Sequence, residues 1–421
     1  IVAWESDDRR IEQAIITDFA ADEQVSTDTV RSKDNPEVAA LEGGGHVVVW
    51  ASSSQAPDGS GWGVFAQRYD ATGAKVGDEF LVNTTTGNDQ FEPTEEGLTG
   101  GVLDGGFVVV WQSFGQTLDP SSYGIFAQQY DADGAAIGGE LLVNQTTSGN
   151  QQNPSGTAMA DGRWAVTWTG ADGDGSGVFL RIFKADGSPA TDDIVVNQTT
   201  VDNQHNVGWL AEPSTTLEDG RILVSWSDYS GTTDSSGAGV FARIFSATGE
   251  PETDEFQVNS TVASSQDYSS VGALTDGGFV ITWSDSGSAD GSNWGIFAQR
   301  YDGQGNEAGG EFQVNTYAPS AQIYSITVGL ADGGFAIGWQ TFGPDGSDYG
   351  IAGQRYDADG KAVGGEFLVN TVGAGRQEQP SIDLRADGAL IVAWESDDRR
   401  IEQAIITDFA ETGGVAKTLV A

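Results

Sequence analysis

Residues 104–144 read DGGFVVVWQSFGQTLDPSSYGIFAQQYDADGAAIGGELLVN. Asp104-Gly105 between apolar runs is a hairpin signal, because glycine accepts the positive φ of a tight turn. FVVVW at 107–111 is almost wholly apolar, the composition of a strand covered on both faces. A polar loop leads to a third run, GIFAQQY, in which large and small side chains alternate. The DADG turn at 131–134 reverses the chain into a fourth run ending in LLVN. The upstream stretch EPTEEGLTGGVL at 92–103 supplies the remaining strand, so one unit holds four short antiparallel strands.

The unit recurs along the whole chain. Its marker is the tryptophan closing the second strand: Trp50, Trp111, Trp168, Trp226, Trp283, Trp339 and Trp394, spaced 55 to 61 residues apart. Asp-Gly turns recur at Asp161-Gly162, Asp219-Gly220, Asp276-Gly277, Asp332-Gly333 and Asp387-Gly388. No helical period is long enough to compete with this pattern. Four-stranded units of this length, repeated seven times, predict an all-β fold: a β-propeller of four-stranded antiparallel blades formed by residues 1–421 as one domain. A β-solenoid would use shorter coils, and immunoglobulin-like sandwiches would need about 100 residues each.

The ends carry a duplication. IVAWESDDRRIEQAIITDFA fills residues 1–20 and again 391–410. Residues 379–410 read as strands one to three of a last blade, and ADEQVST at 21–27 matches the fourth-strand pattern DEFLVNT of 78–84. Both termini then close a seven-bladed ring, leaving residues 1–20 surplus. Two other arrangements stay open: an eighth, incomplete blade, or insertion of one copy into a neighbouring chain.

Composition narrows the partners. The 421 residues include 62 acidic and 19 basic side chains, for a net charge of −43. Such a surface repels nucleic acid and anionic membranes. The 59 glycines, without a collagen period, indicate many tight turns. With no cysteine there are no disulfides and no thiolate chemistry. No apolar run is long enough to span a membrane as a helix. The chain starts mid-strand at Ile1 and is expected to be a piece of a longer protein.

In a propeller the loops between strands two and three and between units share one face. Here those loops carry Asp58 with Trp62, Asp290 with Trp294, and Asp345 with Tyr349, while Tyr123 holds the aromatic position of the second full unit. An aromatic plate beside carboxylates or amides suits a sugar, whose C–H face stacks while its hydroxyls find polar partners. An Asn seven residues ahead of a Gln recurs six times, from Asn83/Gln90 to Asn370/Gln377. That regularity is expected of scaffold residues that satisfy backbone groups. The Asp-x-Asp turns at Asp131/Asp133, Asp172/Asp174 and Asp357/Asp359 place hard oxygens close together and make Ca2+ a candidate ligand, although Thr72, Thr248 and Gln304 occupy the second position in other copies, as a plain turn allows.

Catalytic signatures are missing. His46 and His205 stand in unrelated contexts, and no P-loop, Rossmann fingerprint or G-x-S-x-G elbow occurs. The segments GGFVVVWQS, GIFAQRYD, DADG, GGEFLVNT and ADGGF together resemble the tandem repeats of large exported bacterial proteins of the hemolysin-type calcium-binding, RTX-like adhesin group. The resemblance covers residues 36–410 and implies secretion or cell-surface display, calcium-rich surroundings and adhesion. The expectation from sequence is therefore a non-catalytic adhesion module that binds a glycan through its loop face, with an extracellular assembly built by terminal strand exchange as the alternative and a polysaccharide-active hydrolase as a distant one.

Overall fold

The computed structural model describes residues 2–5, 11–14, 23–28, 31–55, 57, 61–86, 90–96, 105–116, 118–205, 211–231, 237–261, 263–287, 294–317, 320–343, 348–370, 375–397, 400–406 and 417–418. The four-strand unit is realised seven times. Blade 1 consists of Lys33–Ala40, His46–Ser53, Trp62–Tyr69 and Lys75–Leu81, paired in that order. Blade 2 runs from Gln90–Glu96 to Ala136–Leu142, and blade 3 from Gln151–Ala158 to Ile194–Val195. Blade 4 is built on Ser214–Thr216, Ile222–Asp228 and Gly239–Phe245, blade 5 starts at Gln266–Ala273, and blade 6 at Gln322–Gly329.

Blade 7 settles the question of the ends. Its sheet pairs Gln377–Leu384, Leu390–Ser396, Arg400–Ile406 and finally Glu23–Gln24. The fourth strand thus comes from the N-terminal region, with Glu23 opposite Gln403. The Val25 N–H donates to the Ile401 carbonyl at 2.7 Å, and its side chain is fully buried. Ring closure continues into blade 1, where Val38 N–H donates to Ser381 Oγ at 3.0 Å and Ala40 N–H to Asp383 at 2.7 Å. The C-terminal copy of the duplicated segment occupies the ring. The N-terminal copy forms a separate two-stranded sheet of Val2–Glu5 and Ile11–Ala14. Its register, Trp4 opposite Glu12, repeats that of Trp394 opposite Glu402.

The core lies between blades. Each of seven apolar clusters spans one blade-to-blade interface, such as Val38, Trp50 and Phe65 of blade 1 with Ile391 and Ala393 of blade 7. All seven marker tryptophans are buried, and five stack on a phenylalanine of the third strand, for example Trp111 on Phe126. Burying such large rings is the main apolar gain that holds neighbouring sheets together. His46 belongs to this scaffold. It takes the place that Phe107, Phe279 and Phe335 fill in other blades, stacks on Tyr69 at 4.4 Å and shares a 2.8 Å hydrogen bond with Gln403. Burial lowers its pKa to about 4, so it is neutral near pH 7.

The Asn/Gln pairs are clamps. In each pair the Asn Oδ1 accepts the N–H of a third-strand residue, as Asn259 does from Val240 at 2.8 Å. In five of the six its Nδ2 donates to the following Gln, as Asn259 does to Gln266 at 3.0 Å, whereas Asn144 donates to Asp119 and Gln151 accepts from Trp168. The same bonds recur at Asn83, Asn197, Asn315 and Asn370. They tie the end of one blade to the start of the next and satisfy buried polar groups.

Candidate active site

The innermost strands surround a central shaft. Its main cavity, about 280 Å³, is lined by first-strand residues such as Val38, Thr157, Thr216, Gly272, Thr327 and Ile382. Hydroxyls link neighbouring strands here, including Thr157 with Thr216 at 3.2 Å and Thr282 with Thr327 at 2.8 Å. Glu37, Glu212 and Asp383 face this interior. Burial raises Glu37 to about 8 and Asp383 to about 6, and burial with the nearby Glu37 and Asp383 raises Glu212 well above the usual carboxylate range.

At the mouth of the shaft, the residue after the clamp Gln stands opposite the residue after the marker Trp. In blade 2 the pair is Phe91 with Gln112, in blade 3 Gln152 with Thr169, in blade 5 Asp267 with Ser284, and in blade 6 Ile323 with Gln340. Blade 1 has Asp34 with Ala51, and blade 4 His205 with Ser227. Blade 7 alone sets two acids against each other: Glu378 and Glu395.

The residue after the Trp normally reaches the next blade. Gln112 accepts the Asn153 N–H at 3.0 Å, Ser284 the Tyr324 N–H at 3.2 Å, and Gln340 the Gln379 N–H at 3.1 Å. Glu395 fills that slot between blades 7 and 1 and hydrogen-bonds the carboxylate of Asp34. Burial, then the charges of Asp34 and Glu378, raise Glu395 to about 8. Glu395 therefore carries a proton near pH 7 and donates it to Asp34, which also accepts from Gln379 and from the Asn35 N–H. Glu378 is ion-paired with Arg376. Burial raises its pKa, and the guanidinium acts in the opposite direction.

An aromatic arc leads away from these acids. Arg376 lies over the Tyr349 ring at 5.2 Å, and Tyr349 packs edge-on against Phe342 at 5.2 Å. On the first strands of blades 6 and 5, Tyr324 and Tyr268 meet edge-on at 4.9 Å, and Trp294 stands 6.1 Å from Tyr268. Beyond them, Tyr229 and Ser227 both donate to Asp267, with His205 5.4 Å from the Tyr229 ring.

The structure sorts the residues singled out from sequence. Trp294 and Tyr349, both half-buried, join the arc. Trp62 begins the third strand of blade 1, and Tyr123 lies on blade 2 with its ring 5.1 Å from Phe114. Asp58, Asp290 and Asp345 lie outside the described residues. The Asp-x-Asp turns are closed by their own first carboxylate. Asp131 accepts the N–H groups of Asp133 and Ala135 at 3.0 and 2.8 Å, and Asp357 those of Asp359 and Lys361 at 3.0 and 2.8 Å. Asp172 accepts from Asp174 at 3.2 Å. Among the described residues no group of three or more His, Asp or Glu side chains is arranged to hold a metal ion. Sequence reading missed Asp34, Glu378, Tyr268 and Tyr324. The signal for the acids was present: among the seven residues that follow a marker tryptophan, Glu395 is the sole acid.

The sequence matches no protein-family model and no curated protein. Solved structures do match its fold. A Penicillium chrysogenum α-L-arabinanase complexed with arabinobiose has a TM-score of 0.54 at 13% identity, over 94% of this chain and 100% of its own. A Fusarium graminearum α-L-arabinofuranosidase in complex with an iminosugar inhibitor has 0.54 at 10%, over 92% and 98%. An ulvan lyase bound to a glucuronate–sulfated rhamnose unit has 0.54 at 14%, over 91% and 94%. At these identities the likeness establishes the fold, a β-propeller. It also corrects the expectation of a non-catalytic adhesion module, which rested on the absence of catalytic motifs. The three similar propellers just named are an arabinanase, an arabinofuranosidase and an ulvan lyase, and here the mouth of the shaft holds a set of interacting acids.

Proposed function

We propose that the chain is a polysaccharide-active hydrolase whose active site is the acid cluster of Glu395, Glu378 and Asp34. The observation that carries this reading is the direct pairing of two acids at one place on the ring, one hydrogen-bonded to a third acid and the other ion-paired with a guanidinium. Glycosidic cleavage needs one carboxyl protonated and another able to carry negative charge. Glu395 is kept neutral by burial and by neighbouring acids; burial raises Glu378 as well, and Arg376 acts against that rise to help it carry charge.

In this scheme Glu395 gives its proton to the glycosidic oxygen as the bond to the anomeric carbon breaks. Glu378 faces the positive charge that develops on the sugar ring. Water adds its oxygen to the anomeric carbon, and the proton it loses restores the carboxyl pair. Asp34 positions the Glu395 carboxyl and holds its proton until transfer. A glycan substrate is supported by three similar propellers, an arabinanase complexed with arabinobiose, an arabinofuranosidase and an ulvan lyase.

The test is release of reducing ends from arabinan, xylan, β-glucan and galactomannan. Turnover of at least one, without the ultraviolet absorbance of an unsaturated sugar, is expected. No release from any, or an unsaturated product, would overturn hydrolysis.

A further inference from the structure

We propose that Trp294, Tyr268, Tyr324 and Tyr349 form a row of stacking subsites that binds an uncharged polysaccharide chain and leads it to Glu395 and Glu378. This rests on the hydrolase reading above for the position of bond cleavage. It stands on separate observations for binding.

The backbone provides the first of these. Tyr268 and Tyr324 have φ of 57° and 58°, in the left-handed region. They sit at a bulge that recurs in the first strands, where blades 1, 3 and 7 carry Asn35, Asn153 and Gln379 with φ of 50° to 53°. Asparagine tolerates that conformation because its side chain is short and bonds locally. A tyrosine there costs on the order of 1–3 kcal/mol and is kept only where its ring is used. Neither ring belongs to an apolar cluster of the core, and both are half-buried at the mouth of the shaft. Two strained tyrosines on consecutive blades, touching edge-on, form a surface rather than a filling.

Continuity is the second observation. Trp294, Tyr268 and Tyr324 follow one another, Tyr349 lies near Tyr324, and Arg376 bridges from the Tyr349 ring to Glu378. A row of rings suits a chain of sugars, each offering a C–H face, and suits a single monosaccharide poorly. Charge selects the class. Among the described residues the row's polar neighbours include Asp267, Asp348, Glu378 and the cation Arg376, on a chain of net charge −43. A uronate or sulfated polymer would be repelled, whereas neutral hydroxyls find tyrosine hydroxyls and carboxylates to bond.

Native affinity electrophoresis tests this, with the same four neutral polysaccharides, alginate and polygalacturonate in the gel. The chain carrying Glu395→Gln and Glu5→Gln is run beside versions that add Tyr324→Ala, Trp294→Ala or, as a control on blade 2, Phe114→Ala. Retardation by at least one neutral polymer is expected, with affinity reduced about 10-fold or more by Tyr324→Ala and by Trp294→Ala and unchanged by Phe114→Ala. Tyr324→Phe, which keeps the stacking face, should retain most of the binding. No retardation by any neutral polymer, retardation by the acidic polymers alone, or retardation of the tyrosine and tryptophan variants equal to that of the parent would overturn the proposal. Turnover read in parallel separates the two ideas. Binding lost in Tyr324→Ala while the Glu395→Gln, Glu5→Gln chain still cleaves would leave the subsites standing and remove the acid cluster. Loss of cleavage with binding unaffected by the aromatic changes would do the reverse.

Discussion

Glu378 and Glu395 stand directly opposite each other on adjacent antiparallel strands of blade 7. Side chains so placed are close neighbours on one face of a sheet, and like charges there are destabilising. The other blades avoid this arrangement by pairing at most one acid with a neutral partner. Blade 7 keeps both acids and adds Asp34 from blade 1. The arrangement costs stability at neutral pH and supplies a carboxyl that holds a proton there, the trade expected of a reactive site.

That cost has a sign. The folded-state pKa of Glu395 is raised to about 8, so its contribution is most favourable below the unfolded value of about 4.5 and is lost as pH rises toward 8. Glu395→Gln should therefore raise Tm by roughly 1–3 °C at pH 9 relative to the parent chain and change it little at pH 4. Thermal melts across this range read the difference, and an equal shift at both pH values would count against the assigned protonation.

The same proton sets a rate profile. With Glu395 as the general acid, kcat/KM should hold through neutral pH and fall tenfold per unit above about pH 8. Initial rates on the best polysaccharide across pH 5–10 measure this. A profile still rising above pH 9 would assign proton donation elsewhere.

The clamps should matter for stability alone. Asn259→Ala removes the acceptor of the Val240 N–H and the donor to Gln266, leaving buried polar groups unpaired. A loss of about 1–3 kcal/mol is expected in denaturant unfolding. Binding and turnover of the folded fraction should be unchanged.

At the ends, the ring needs Val25 and not the first copy of the duplicated segment. Deleting residues 1–20 should leave stability within about 0.5 kcal/mol, because blade 7 takes its strands from 377–406 and 23–24. Val25→Asp, which buries a charge beside Trp50 and Ile391, should lower it by several kcal/mol. Melting curves of the two variants provide the comparison. The duplication also bears on mutagenesis, since Glu5 repeats Glu395 in sequence and in strand register. Variants of Glu395 should carry Glu5→Gln so that the first copy cannot replace the second.

The fold was legible because it is local and repeated. Asp-Gly turns, apolar second strands and the marker tryptophans each specify one element, and seven repetitions leave little choice of architecture. The Asn/Gln clamps were legible for the same reason. The site was harder to read, since it arises from exceptions to the repeat and from neighbours distant in sequence. Asp34 and Glu395 lie 361 positions apart and meet because the ring closes. Tyr268 and Tyr324 looked like ordinary first-strand residues until the bulge turned them to the mouth. The recurring loop aromatics drew attention instead, and of these Trp294 and Tyr349 join the arc.

The central claim is that Glu395 carries the chemistry. Its most direct test is reducing-end release from the panel of neutral polysaccharides by the parent chain and by the chain with Glu5→Gln and Glu395→Gln, with circular dichroism confirming that both fold. A loss of about 10²–10⁴-fold in kcat, with retention on polysaccharide gels unchanged, is the result predicted for removal of a general acid. Turnover within about twofold of the parent would contradict it.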